Sequence, residues 1–348
     1  MFRPPGPVPK LQSSSEAAPQ PHIFVPQHPQ PPQPPQPPPQ PPLPHPSAPS
    51  PWANTRTLCG HAGAVLCLRL NASGSHLLTG GQDRTVRLWN PRKADPATAC
   101  LATFRDGRLS HPVADIAVLP GSRQFATCGG TTQALLWDLK TKQLVRKMSG
   151  HSLRVNCVAE GAQGSVLVTG GYDRSVCVHD LRSRGTIQTM ERCCRDSVES
   201  VCVAGKEIIA ASADGHVYVF DVAAGKLRVD GYHAPIGFIA PSRHDGGRTL
   251  LLSCQGGVGL CLTERATGLV LGRFRGAHRT TDFKIGCAFL DRGRMVCTGS
   301  ETGDLVVYDT LSERAVHRLC PEFEEGARGG GGSGGGAEAA REARRTRP

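Results

Sequence analysis

The chain is 348 residues long, with a formal charge of +11, 29 prolines, 41 glycines and 14 cysteines. It has no apolar run of the about 18 residues that a membrane-crossing helix needs, no apolar segment of signal-peptide type behind its opening MFRPPGP, and no Cys-x-x-Cys pair. Membrane, secreted disulfide-rich and zinc-ribbon classes are thereby excluded, and the expectation is a soluble protein of a reducing compartment, cytoplasmic and also nuclear, whose cysteines fill strands as small hydrophobes.

Residues 1–53 hold 21 of the 29 prolines and read as a disordered Pro/Gln-rich extension. Its stretch from Pro19 to Pro51, with repeated PQPPQPP, reads as an extended spacer of about 100 Å at about 3.1 Å per residue. Its Pro-x-x-Pro motifs suit an SH3-type partner, but no Arg or Lys flanks them, so a solvated spacer is the plainer reading. Residues 54–325 carry only 7 prolines but 32 glycines in 272 positions, the ratio that frequent turns between short strands produce. The extension has a net charge of +1 and residues 326–348 +3, so +7 remains on residues 54–325. No basic run interleaved with aromatics accompanies that charge, so it reads mainly as solubility and direct nucleic-acid binding is not expected.

Six segments then recur. LTGGQDRTVRLWN, ATCGGTTQALLWD, VTGGYDRSVCVHD and IAASADGHVYVFD each join a short apolar strand, a small-residue turn and an alternating strand, and LLSCQGGVGLCLT and CTGSETGDLVVYD are weaker copies. Their final residues, Asn90, Asp138, Asp180, Asp221, Thr263 and Asp309, lie 41 to 48 apart. With Gly60-His61 and Gly150-His151 about thirty residues upstream of two such endings, this is the signature of WD repeats, each a four-stranded blade of a propeller. The expected fold is therefore an all-β WD-repeat β-propeller over residues 54–320, with six recognisable repeats. Residues 321–348, rich in glycine and arginine, read as a disordered tail in which Arg341, Arg344, Arg345 and Arg347 are spaced for a basic helical stripe.

In WD repeats a loop His, a strand Thr, a turn Asp and a strand Trp form a buried hydrogen-bonded chain. Here these are His61, Thr79, Asp83 and Trp89 in blade 1, and His151, Thr169 and Asp173 in blade 3, with His179 where Trp is expected. Blades 2, 5 and 6 have Thr131, Gly256 and Thr302 at the Asp position, so strand pairing and apolar packing must hold them. The rival reading of His, Asp and Thr as a hydrolytic triad is weakened by its recurrence in two blades. No P-loop or HExxH occurs, and GxSxG only by composition within the glycine run at 331–335, so no catalytic, cofactor, metal or small-molecule site is expected.

A strand at Thr55 to Cys59 is expected to close the ring by pairing into the last blade. The outer strands should include Val145 to Met148, Leu271 to Phe274 and, last, Ala315 to Leu319, so a seven-bladed ring needs three further strands after Cys320. No strand can be read in PEFEEGARGGGGSGGGAEAAREARRTRP. The expectation is a seven-bladed architecture whose seventh blade is missing or truncated at a misread gene end.

TGGQDRTVRLWNP, LLWDLKTKQLVRKMSGHSLRVNCV, YDRSVCVHDLRSR and TGLVLGRFRGAHRTTDFKIGCAF carry a narrower likeness. From about Arg56 to Leu319 the chain resembles the mitogen-activated protein kinase organizer family, that of WD repeat domain-containing protein 83. Phe283-Lys284 stands in the place of the family's Tyr-Lys, and Ala277 is inserted between Gly276 and His278. The resemblance implies a non-catalytic, seven-bladed scaffold that organises kinase-cascade components and associates with the spliceosome in pre-messenger RNA splicing. Partners would dock on the rim built by the Gly-His loops and strand turns, with Arg84, Tyr172, Arg174, Arg195, Arg279 and Phe283 as candidate contacts. The alternative is a substrate receptor of a cullin-RING ubiquitin ligase. Trp137-Asp138-Leu139-Lys140 lacks the preceding Asp that such receptors carry, and Asp180-Leu181-Arg182 has His179 instead of Trp.

Overall fold

The computed structural model describes residues 56–320, except 94, 162, 163 and 184. They belong to the second of the two units into which the chain divides, residues 43–348. The expectations for the extension at 1–53, its Pro-x-x-Pro motifs and the tail at 321–348 lie outside the described residues. No helix among the described residues is long and apolar enough to cross a membrane.

Six antiparallel sheets follow one another, each made of four strands consecutive in the chain. The blades span residues 65–104, 113–148, 155–190, 198–231, 236–274 and 287–319. Every repeat ending read from the sequence falls within one residue of the end of a third strand, where runs such as VCVHD and LVVYD supply the β-branched and aromatic residues that suit a half-buried pleat. In the first five blades the first strand carries a bulge near its start, as at Val65/Cys67 and Val113/Asp115, which adds local twist.

The first strands form the inner side, where successive blades pack on one another. Five apolar clusters fill the five seams from blade 1 to blade 6, each shared by two successive blades. Close approach explains two glycines. A Cβ on Gly80 would stand 2.6 Å from Val113 Cγ1, and one on Gly170 2.4 Å from Val198 Cγ1, so each glycine is the flat seat for the first valine of the next blade.

Polar bonds cross the same seams. The Asp115 carboxylate accepts from the Arg69 guanidinium at 2.8 Å and from the Val158 N–H at 3.2 Å, joining blades 1, 2 and 3. Asn156 Nδ2 donates to Val198 O at 3.1 Å, Ser200 Oγ accepts the Ile239 N–H at 3.2 Å, and Thr280 Oγ1 donates to Cys254 O at 2.9 Å. Among the described residues no cluster, hydrogen bond or ion pair joins blade 6 to blade 1.

The sixth seam is bare on both sides. Val65 is 49% and Leu68 56% exposed, whereas the residues at the same register in blades 2 to 5 (Val113, Val155, Val198, Ile236 and Ile116, Val158, Val201, Ile239) are all buried. On the opposite side Leu305 is 36% exposed, while its five counterparts from Val86 to Leu260 are at most 1% exposed.

The closing strand expected at Thr55 to Cys59 is not formed: Thr55 lies outside the described residues, and Arg56–Cys59 is irregular. A strand persists only where its backbone groups find partners. Each sheet, including the last with Ala315–Leu319, is already completed by its own fourth strand, so Arg56–Cys59 has none to join.

Candidate interaction rim and buried tetrads

In each blade the loop before the first strand and the turn between the second and third strands lie at the same end of the sheet, because the strands alternate in direction. That topology brings His61 to Asp83. With Nδ1–H directed at the Asp83 carboxylate at 3.0 Å, His61 Nε2 takes the Thr79 hydroxyl proton at 2.7 Å, and Thr79 Oγ1 accepts from Trp89 Nε1–H at 2.8 Å. Asp83 also accepts from the Ala62 and Thr85 N–H groups and the Thr85 hydroxyl. Burial opposes its charge, but these bonds outweigh it and hold the carboxyl at about 2.

Blade 3 repeats the chain with one exchange. His151 Nδ1 lies 3.0 Å from Asp173 Oδ1 and Nε2 2.9 Å from Thr169 Oγ1, and His179 Nε2 stands 2.9 Å from the same hydroxyl, taking the place of the indole N–H. Burial, then His151 and Arg146, push the His179 pKa down to about 4, so it is neutral at pH 7.

The side chains of both His–Asp pairs are at most 6% exposed. Their order, hydroxyl to imidazole to carboxylate, is that of a hydrolytic triad. The Thr79 hydroxyl, however, has its proton on His61 and a lone pair on Trp89, and neither faces solvent.

Three further arrangements were not read from the sequence. In blade 2 Trp137 Nε1 still donates to Thr127 Oγ1 at 3.0 Å, although Thr131 replaces the Asp. Blade 4 closes on Asp214, which accepts from Tyr218 Oη at 2.7 Å and the Arg195 N–H at 3.1 Å. In blade 6 His278 Nδ1 bonds the Tyr308 hydroxyl, while Thr298 turns to the carbonyls of Gly286 and Gly299. The inserted Ala277 and the Tyr at the Trp position were the available signals.

All six predicted rim residues are exposed and lie at this end of their blades. Arg84 and Arg174 occupy the same turn position with φ of 61° and 65°, a left-handed conformation for which blades 4 and 6 use Gly215 and Gly303. Among the described residues no carboxylate pairs with the side chains of Arg84, Arg174 or Arg195. Arg279 differs, with Nε 3.3 Å from Glu301 Oε2, and the same glutamate accepts the Phe283 N–H at 3.0 Å. Tyr172 lies under the Arg154 guanidinium, 4.4 Å from its ring centroid, a contact the sequence did not suggest.

Residues 52–90 and 142–180 match the WD domain, G-beta repeat model. WD repeat domain-containing protein 83 of Rattus norvegicus is 35% identical over 270 residues, covering 76% of this chain and 82% of that protein. The chain belongs to the WD repeat domain-containing protein 83 family. Pre-mRNA-splicing factor cwf17 of Schizosaccharomyces pombe is 27% identical over 168 residues, 47% of each chain. Among solved structures, that of U3-55K superposes with a TM-score of 0.68 at 19% identity, covering 76% of this chain and 84% of that one, a likeness of fold.

Proposed function

We propose that this family member is a non-catalytic protein-interaction scaffold that docks partners on the rim, working among spliceosomal proteins and organising kinase-cascade components in nucleus and cytoplasm. The observation that carries the rim is the pair Arg84 and Arg174. A non-glycine residue at such a φ costs about 1 kcal/mol or more, and two blades that use glycine there show the turn does not need a side chain. An arginine held twice at that cost, exposed and without a carboxylate partner, suits recognition of an acidic surface. The likeness to a splicing factor supports the spliceosomal side, and the family resemblance the kinase side.

We also propose a seven-bladed plan in which the seventh blade lies outside the described residues, supported by the bare faces of blades 1 and 6. The buried, doubly bonded Thr79 hydroxyl supports a structural role for the tetrads over hydrolysis.

Arg84→Glu with Arg174→Glu tests the rim. Both residues keep a non-glycine side chain at the turn, so the fold is retained, and recovery of spliceosomal proteins from nuclear extract should fall at least tenfold. Unchanged recovery contradicts the rim reading. Arg279 is left intact because it also anchors Glu301.

A further inference from the structure

We propose that Cys193 and Cys194 form a peroxide-reactive dithiol, in which Cys193 is the attacking thiol and Cys194 closes a reversible disulfide on it. The site lies at the rim but stands independently of the docking reading.

Consecutive side chains of an extended chain point to opposite sides. The loop before blade 4 is turned instead. Arg192 has a left-handed φ of 46°, its N–H donates to Ser175 Oγ at 3.0 Å, and the Cys194 N–H donates to Arg174 O at 3.2 Å. Folded in this way against the turn of blade 3, the two Sγ atoms stand 3.8 Å apart, and Cys193 Sγ lies 3.6 Å from Arg174 O. The Cys194 S–H thus donates to Cys193, and the Cys193 S–H to the carbonyl.

Position gives the two thiols different roles. Cys194 is four residues before Val198, the place that His61 and His151 take before Val65 and Val155, and like His151 it is buried. Cys193 is only partly buried, and Arg174, Arg192 and Arg195, which adjoin it, are exposed. Partial exposure beside positive charge is the setting in which a thiolate reacts. The bond from Cys194 holds the Cys193 thiol below its ordinary range against the opposing effect of burial, helped by the N–H groups of Val176, Cys193 and Cys194. The same bond, and then burial, push the Cys194 thiol up, so the proton stays there.

A hydroperoxide is the oxidant. The Cys193 thiolate attacks the outer peroxide oxygen, an S–O bond forms, the O–O bond breaks, and the leaving oxygen takes up a proton as an alcohol or water. The uncharged sulfenic acid no longer holds the Cys194 proton. Cys194 sulfur then attacks Cys193 sulfur, the S–S bond forms, the S–O bond breaks, and hydroxide leaves with the Cys194 proton as water. Two thiols lose two electrons and the peroxide gains them. Cys254 and Cys261 also have Sγ atoms 4.0 Å apart, but both are fully buried between blades 4 and 5, out of reach of a peroxide.

Mass spectrometry of the full chain tests the assignment. After hydrogen peroxide treatment, free thiols are blocked with N-ethylmaleimide in denaturant, and trypsin, cutting after Arg192 and Arg195, releases residues 193–195. The expected fragment carries no maleimide, is lighter than the dithiol by two hydrogens and is restored by dithiothreitol, while Cys254 and Cys261 are both blocked. Cys194→Ser should leave a sulfenic acid on Cys193 that dimedone traps, and Cys193→Ser should give no dimedone adduct at Cys194. Two maleimides on residues 193–195 at a peroxide dose that oxidises the exposed Cys59 and Cys320 overturn the proposal. So does a disulfide from Cys193 to any other cysteine, or a dimedone adduct on Cys194 in its place.

Discussion

Asp83 accepts four hydrogen bonds from buried or turn-closing donors, and His61 and Thr79 depend on it for their orientation. Asp83→Ala orphans those donors, and the expected loss is about 3 kcal/mol of unfolding free energy. Asp83→Asn should cost less, because the amide oxygen still accepts. Urea denaturation checks both, and a loss under about 1 kcal/mol for the alanine contradicts a stabilising tetrad. His179 gives a pH signature. Its folded pKa is held near 4, below the ordinary 6.5, so its stabilisation is present above pH 6.5 and is lost as pH falls towards 4. His179 should account for about 2–3 kcal/mol of the drop in unfolding free energy across that window, and burial of His278, also held near 4, adds a similar share; His179→Trp, which restores the indole found in blades 1 and 2, should remove the first share only. The lowered carboxyl of Asp83 acts only below its ordinary value near 3.8, outside this window.

At the scale of the element, the blades in which Gly, Thr, Asp and Trp or His keep the repeat spacing were legible in the sequence. The polar closure of blade 6 was not. Ala277 lengthens the loop, which changes the partner of His278 from Thr298 to the Tyr308 hydroxyl, and loop geometry of that kind leaves no periodic trace. The bare strand was equally hidden. VLCLRL has the composition of a buried first strand, and only the missing neighbour makes its valine and leucines exposed. Glycine seats turn this into an expectation. Gly80→Ala should cost about 2 kcal/mol by overpacking Val113 and Cys67. Gly299→Ala, at the same position in blade 6 and with only Ile285 nearby, should change stability by less than about 0.5 kcal/mol or raise it. Thermal and urea unfolding of the pair decide whether the two seats differ.

For the whole molecule, repeat architecture makes stability a sum over blades and the seams between them. Five seams carry an apolar cluster each, and the sixth presents two sheet faces to solvent. The expected closing strand depended on a sheet that the described residues do not contain, so the six blades follow from the sequence while residues 56–59 are irregular rather than a strand. The bare seam leaves Val65, Leu66, Leu68 and Leu70 each about half exposed. The claim that this seam is open is tested most directly by comparing Leu68→Lys with Ile116→Lys, two residues at one register position in adjacent blades, by urea denaturation of the full chain. The open seam predicts a change within about 0.5 kcal/mol for Leu68→Lys and a loss of about 4 kcal/mol or more for Ile116→Lys. Equal, large losses at both positions would contradict it.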